Sequence, residues 1–171
     1  MINYFGMQSA FENSREKKKI RSLLLVFIFL LLLSGVTAFP LRWEIDFLAD
    51  HNEFFPSFLA NWISEVAAAA DKTPELMFYG TDWLAFGHCV ITLFFVPVYL
   101  DPVRYKMNLT MGMVACLGVF SLAFICGPIR GIPFFHQLID CAFGFIGFWL
   151  LLYVYKKISS LQKISSNEYN H

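Results

Sequence analysis

Apolar residues in this chain come in long unbroken runs rather than in the alternation of half-buried strands or the single stripe of a surface helix. Four runs stand out, at 22–39, 83–100, 107–126 and 138–155, each about long enough to cross a ~30 Å hydrocarbon layer at ~1.5 Å per residue. With the last extended back to Pro133, spans of about 22–39, 83–100, 107–126 and 133–155 predict an all-α polytopic membrane protein, a four-transmembrane-helix bundle.

The connection 40–81 is too long and too apolar to be an idle loop. Phe58, Leu59, Trp62, Ile63, Val66, Ala67 and Ala70 recur at i, i+3, i+4 spacing, which predicts an amphipathic helix with Ser57 as N-cap and Asp71-Lys72-Thr73-Pro74 as its stop. Such a helix lies in the membrane interface or acts as a lid. Trp43, Phe47, Leu48, Phe54 and Phe55 add aromatic surface of the kind found at headgroup depth. The segment 1–21 is polar, with Phe5, Met7 and Phe11 spaced for a short amphipathic helix on the inner leaflet. The segment 156–171 reads as a tail, disordered from Ser159 onward.

Composition agrees with a membrane location: of 171 residues, 57% are hydrophobic and 18% aromatic, more than a soluble domain of this size can hide from water. Cations and anions number 13 each, so the zero net charge is informative only once the charges are sorted by side. Arg15, Lys17, Lys18, Lys19, Arg21, Arg104, Lys106, Lys156, Lys157 and Lys163 fall on one side of the four spans. Arg42, Lys72 and Arg130 fall on the other, among many acidic residues. The positive-inside rule therefore predicts that both termini are cytoplasmic and that 40–81 and 127–133 face outward. The basic start, the apolar run and the small residues Val36-Thr37-Ala38 also fit a cleavable signal peptide, although the long positive leader and Pro40 favour a retained anchor.

Cys89, Cys116, Cys126 and Cys141 lack CxxC spacing and sit in apolar runs, as packing residues do. The third span, with only Asn108, Thr110 and Ser121 as polar side chains, is expected to pack, Gly112 and Gly118 admitting close neighbours. Prolines and glycines in the turn 126–133 fix the backbone around Arg130. On the following helix His136, Asp140, Gly144 and Gly147 share one face, with Gln137 beside them, and this face is expected to point into the bundle.

The candidate site follows from the scarcity of ionisable groups. Asp82, His88, Arg130, His136 and Asp140 all lie toward the outer ends of the spans, and an ionisable residue in lipid is expected to face inward and have a partner. An outward-opening, ligand-binding pocket is one expectation. The alternatives are a packing ion pair between Asp140 and Arg130, a hydrogen-bonded His88, and ordinary interface polarity for His136 and Asp82. Arg130 also matches a lipid phosphate. No metal and no cofactor are expected: a haem between His88 and His136, or a zinc ion with Asp140, has no supporting motif. Phosphate-loop, dinucleotide and nucleophile-elbow motifs are lacking, as is a basic aromatic surface for nucleic acid.

The segments Asp82-Trp83-Leu84-Ala85-Phe86-Gly87-His88 and Asp140-Cys141-Ala142-Phe143-Gly144-Phe145-Ile146-Gly147 resemble the paired signatures of VanZ-like proteins, small four-span bacterial envelope proteins. As a whole the chain is similar to bacterial inner-membrane proteins with a Gly-Pro-Ile-Arg-Gly-Ile-Pro turn. These resemblances imply the bacterial inner membrane and a role in envelope maintenance or glycopeptide resistance. The expected function is binding of a membrane lipid or lipid-like envelope precursor, with its anionic head near Arg130. Two alternatives remain open: a membrane enzyme using His88 and Asp140 as acid and base, and a small structural subunit with partner membrane subunits.

Overall fold

The computed structural model describes residues 15–169. Among these residues every regular element is helical: α1 Arg15–Thr37, α2 Leu41–Asp50, a short 3-10 turn Asn52–Phe54, α3 Ser57–Ala70, α4 Glu75–Leu100, α5 Lys106–Ile129 and α6 Phe134–Tyr169. Four of them, α1, α4, α5 and α6, are long and apolar enough to cross a membrane, so the all-α, multi-span reading holds. The helix expected around Phe5, Met7 and Phe11 lies outside the described residues. The chain divides into two compact units, one holding 93–169 with the start of α1 through Phe29, the other running from Leu30 to Thr92.

In the first unit four helical segments pack antiparallel in sequence order. Period-3.6 burial selects the inner faces: Ile20, Leu24 and Phe27 on α1, Phe95 and Val98 on α4, Leu109 and Cys116 on α5, and Cys141, Leu151, Val154 and Ile158 on α6. Phe27 lies with its ring centroid 4.8 Å from that of Phe95 and 6.1 Å from that of Phe143, joining three helices. At Gly144 of α6 an added Cβ would meet the Cys116 carbonyl oxygen of α5 at 2.9 Å, and at Gly112 of α5 it would meet Leu151 and Phe95 at 2.8 Å. Small residues thus set the approach of α5 to its neighbours.

Polar contacts gather at one end of this unit. Arg21 donates to the Leu100 carbonyl (3.0 Å) over the Tyr99 ring, Lys106 donates to Gln162 (3.1 Å) over the Tyr155 ring, and Lys157 pairs with Glu16 (3.1 Å). Those last contacts also bear on the tail. The seam Leu151, Val154, Ile158 keeps its spacing beyond Tyr155, and α6 continues to Tyr169 where disorder was expected from Ser159. At ~1.5 Å per residue α6 is about 54 Å long, well beyond a ~30 Å hydrocarbon layer.

Helix α4 continues through Pro97 and stops at Leu100, ahead of Pro102. Pro97 has no N–H for the Leu93 carbonyl, and its ring disturbs the preceding turn. Beside this proline Asn108 of α5 bonds the neighbouring carbonyl, its side-chain amide donating to the Phe94 carbonyl at 3.1 Å. We expect Asn108→Leu to lower stability by about 1 kcal/mol. Unfolding midpoints of the wild type and the variant in mixed micelles test it, and equal midpoints would contradict it.

In the second unit the connection 40–81 is largely helical. Helix α2, unforeseen in the sequence, begins directly after Pro40, whose carbonyl accepts from Glu44 (2.9 Å), and is braced by the i,i+4 pair Arg42–Asp46 at 3.1 Å. Arg42 also binds Asp71 at the end of α3 and lies over the Phe78 ring of α4. The hydrogen bond from Asp71, then that from Asp46, raises the already high pKa of Arg42, which keeps its charge at any ordinary pH. Helix α3 spans the expected residues, but its N-cap is Pro56 without a side-chain bond, and Ser57 is the first helical residue. Its inward residues Ile63 and Ala70 are buried, and Asn52 ties the 3-10 turn to Ser64 at 3.2 Å. Trp43, Phe47, His51 and Phe54 form an exposed ladder of rings with successive centroids 5.4, 4.4 and 6.3 Å apart.

Candidate functional site

The turn between α5 and α6 is shorter than the glycines and prolines of 126–133 suggested, because α5 includes Gly127 and Pro128. Its end is a Schellman motif: the Ile132 N–H donates to the Gly127 carbonyl (2.9 Å), the Gly131 N–H to the Pro128 carbonyl (3.1 Å), and Gly131 takes φ +69°. An L side chain is strained at that φ, so glycine is required there. Arg130 becomes the C-cap, where its cation opposes the negative end of the α5 dipole. The Pro133 carbonyl accepts from His136 (3.0 Å) and Gln137 (3.2 Å) and so starts α6.

Gln137, expected only beside the face of His136 and Asp140, is the polar residue that this helix buries. It is 4% exposed, and its amide donates to the Ile132 carbonyl at 2.7 Å. An added Cβ on Gly127 would lie 2.6 Å from its side chain. Gln137 therefore fills a notch in α5 while satisfying a turn carbonyl, both of which a membrane setting demands. Its signal was present as period: Gln137, Cys141, Gly144, Gly147, Leu151, Val154 and Ile158 form the buried seam of α6. His136 and Asp140 lie beside that seam. The face expected to point inward is thus rotated, and its polar inward member is Gln137.

Between α5 and α6, below the turn, runs a groove of about 260 Å³. Val119, Leu122, Ala123 and Cys126 give it apolar walls, and Arg130 and Asp140 are its charged lining residues. Cys126 is exposed there rather than packed, whereas Cys116 and Cys141 are buried. Asp140 is half exposed and lies 3.6 Å from the His136 imidazole, a charge pair only when the ring is protonated. Among the described residues no hydrogen bond or ion pair joins Arg130 to Asp140, and none engages the Arg130 side chain. Two of the expected site residues, Arg130 and Asp140, therefore line one groove, with His136 against the second.

Asp82 and His88 belong to the other unit. Because α4 begins at Glu75, Asp82 sits about two turns inside the helix rather than at its head, and His88 about 20 Å along it. The His88 Nδ1 is buried without a hydrogen-bond partner among the described residues. The residue stands at a close approach of α4 to α1: a Cβ on Gly35 would meet the Ala85 carbonyl, the His88 Cβ and the Cys89 sulfur, each at 3.0 Å. One helical turn on, Thr92 donates its hydroxyl to the His88 carbonyl at 2.9 Å. Among the described residues no three His, Cys, Asp or Glu side chains converge as metal ligands. No protein-family model, no curated protein and no solved structure matches this chain.

Proposed function

We propose that this membrane protein binds an amphiphile, a lipid or lipid-linked envelope precursor, in the groove between α5 and α6. The tail lies along Val119, Leu122 and Ala123, and the phosphate of the head meets Arg130. The observation that carries this reading is a guanidinium unpaired among the described residues, beside an apolar channel at the end of a membrane-spanning helix pair. A planar guanidinium forms two parallel charge-assisted bonds to a phosphate, and such a group at the rim of a hydrocarbon layer is otherwise left short of acceptors.

The orientation follows the same logic. Arg21, Lys106 and Lys157 meet at the end of the first unit opposite Arg130, which supports cytoplasmic termini and an outward-facing groove. A bacterial inner membrane and an accessory role in envelope maintenance accord with the VanZ-like segments around Asp82 and Asp140. Native mass spectrometry of the chain released from mild detergent tests the binding. Arg130→Gln should weaken phospholipid retention about tenfold or more, the worth of one charge-assisted contact. Equal retention by the variant and the wild type would overturn the reading.

A further inference from the structure

We infer that the groove selects a zwitterionic head in which a primary ammonium neighbours the phosphate, as in phosphoethanolamine lipids, over a head that is only anionic. The inference rests on the lipid-binding reading and adds the class of ligand. Arg130 and Asp140 line the same groove, yet no ion pair joins them. Two opposite charges at the edge of a hydrocarbon layer each need a counter-charge, and water supplies little compensation once a lipid fills the space.

A purely anionic head would satisfy Arg130 while bringing its negative charge up to the Asp140 carboxylate. A purely cationic head would do the reverse. A head carrying both signs presents its phosphate to Arg130 and its ammonium to Asp140, so that both pairs form as the lipid enters. His136 does not remove the requirement, since at 3.6 Å it offers Asp140 a counter-charge only when protonated. Gln137 does not compete for the head, because its amide donates to the Ile132 carbonyl. The ammonium must carry N–H groups, of which a primary one has three: it donates hydrogen bonds to a carboxylate, whereas the trimethylated nitrogen of choline has no N–H to give.

The test is a native mass-spectrometric titration of the full chain in mild detergent with dioleoyl lipids bearing ethanolamine, choline or glycerol phosphate heads. The wild type should bind the ethanolamine lipid at least about tenfold more tightly than either of the others. Asp140→Asn should abolish that preference while leaving the glycerol lipid bound as well as before or better, and Asp140→Glu should restore it. Arg130→Gln should weaken all three. A wild type that retains Arg130-dependent binding without head selectivity overturns this inference and leaves lipid binding standing. Lipid adducts insensitive to Arg130→Gln overturn both. Wild-type selectivity needs no variant, so a misfolded substitution cannot rescue the proposal.

Discussion

Gly144→Leu is expected to force α6 away from α5 and to destabilise the protein by 3 kcal/mol or more, on the order of the upper range for overpacked interiors. The reason is the identity of the neighbour. A Cβ at this position would lie 2.9 Å from the Cys116 carbonyl oxygen and 3.3 Å from the Val119 Cβ. The nearest atom is main chain in the middle of a helix, so no rotamer change relieves the clash; the whole of α5 must shift. One turn away the Gly147 position is hardly roomier, with the Cys116 sulfur at 3.1 Å and the Phe27 ring at 3.2 Å. Gly118 is the internal control, because nothing lies within 4 Å of its would-be Cβ. Gly118→Ala should be neutral or gain up to about 1 kcal/mol from helix propensity. Unfolding curves in mixed micelles give both values, and similar shifts at the two glycines would show that close approach does not govern this helix pair.

Leu151→Ala should cost about 2 kcal/mol, near the bottom of the range for a fully buried leucine. Leu151 is 0% exposed, and one of its methyl carbons occupies the place that a side chain on Gly112 would claim, 2.8 Å from that Cβ position. In a soluble core the loss combines a transfer term with a cavity term. Here the unfolded reference keeps the side chain in lipid, which is as apolar as the bundle, and chiefly the lost contacts remain. The cavity also makes room, so Gly112→Ala should be less damaging beside Leu151→Ala than alone, though the Phe95 ring at 2.8 Å leaves some clash. A double-mutant cycle should therefore show a favourable coupling of about 1 kcal/mol; strict additivity would mean that the two residues do not share the space.

The hydrophobic pattern located α1, α4, α5 and α6 because a run of apolar residues long enough to span lipid has few other uses. The helices extend beyond those runs. Apolarity marks where a helix sits in hydrocarbon, whereas helix ends are set by hydrogen bonding, so α4 starts at Glu75 despite Tyr79, Gly80 and Asp82, and α5 runs through Pro128. The same distinction hid α2: charged and apolar residues alternate over 42–47, a pattern that looks like surface until Arg42 is seen bridging Asp46 and Asp71.

Within the candidate site, charge identified Arg130, His136 and Asp140 as unusual for their depth, and the groove gathers Arg130 and Asp140. Charge gave no hint of Gln137, whose neutral amide matters through geometry: one bond to Ile132 and one notch at Gly127. Nor does sequence spacing say which carboxylate an arginine meets. Arg42 and Asp71 lie far apart along the chain and are bonded, whereas Arg130 and Asp140 lie near one another and are not. Contacts of that kind depend on rotamers and helix rotation, to which a pattern of residue types is blind.

The tight junction joining α5 to α6 also bears on how the protein is made. With Gly131 reversing the chain, Gln137 seated against Gly127 and Gly144 against Cys116, these helices match each other along most of their length before any other segment is needed. During synthesis they are suited to leave the insertion machinery together as a preassembled hairpin.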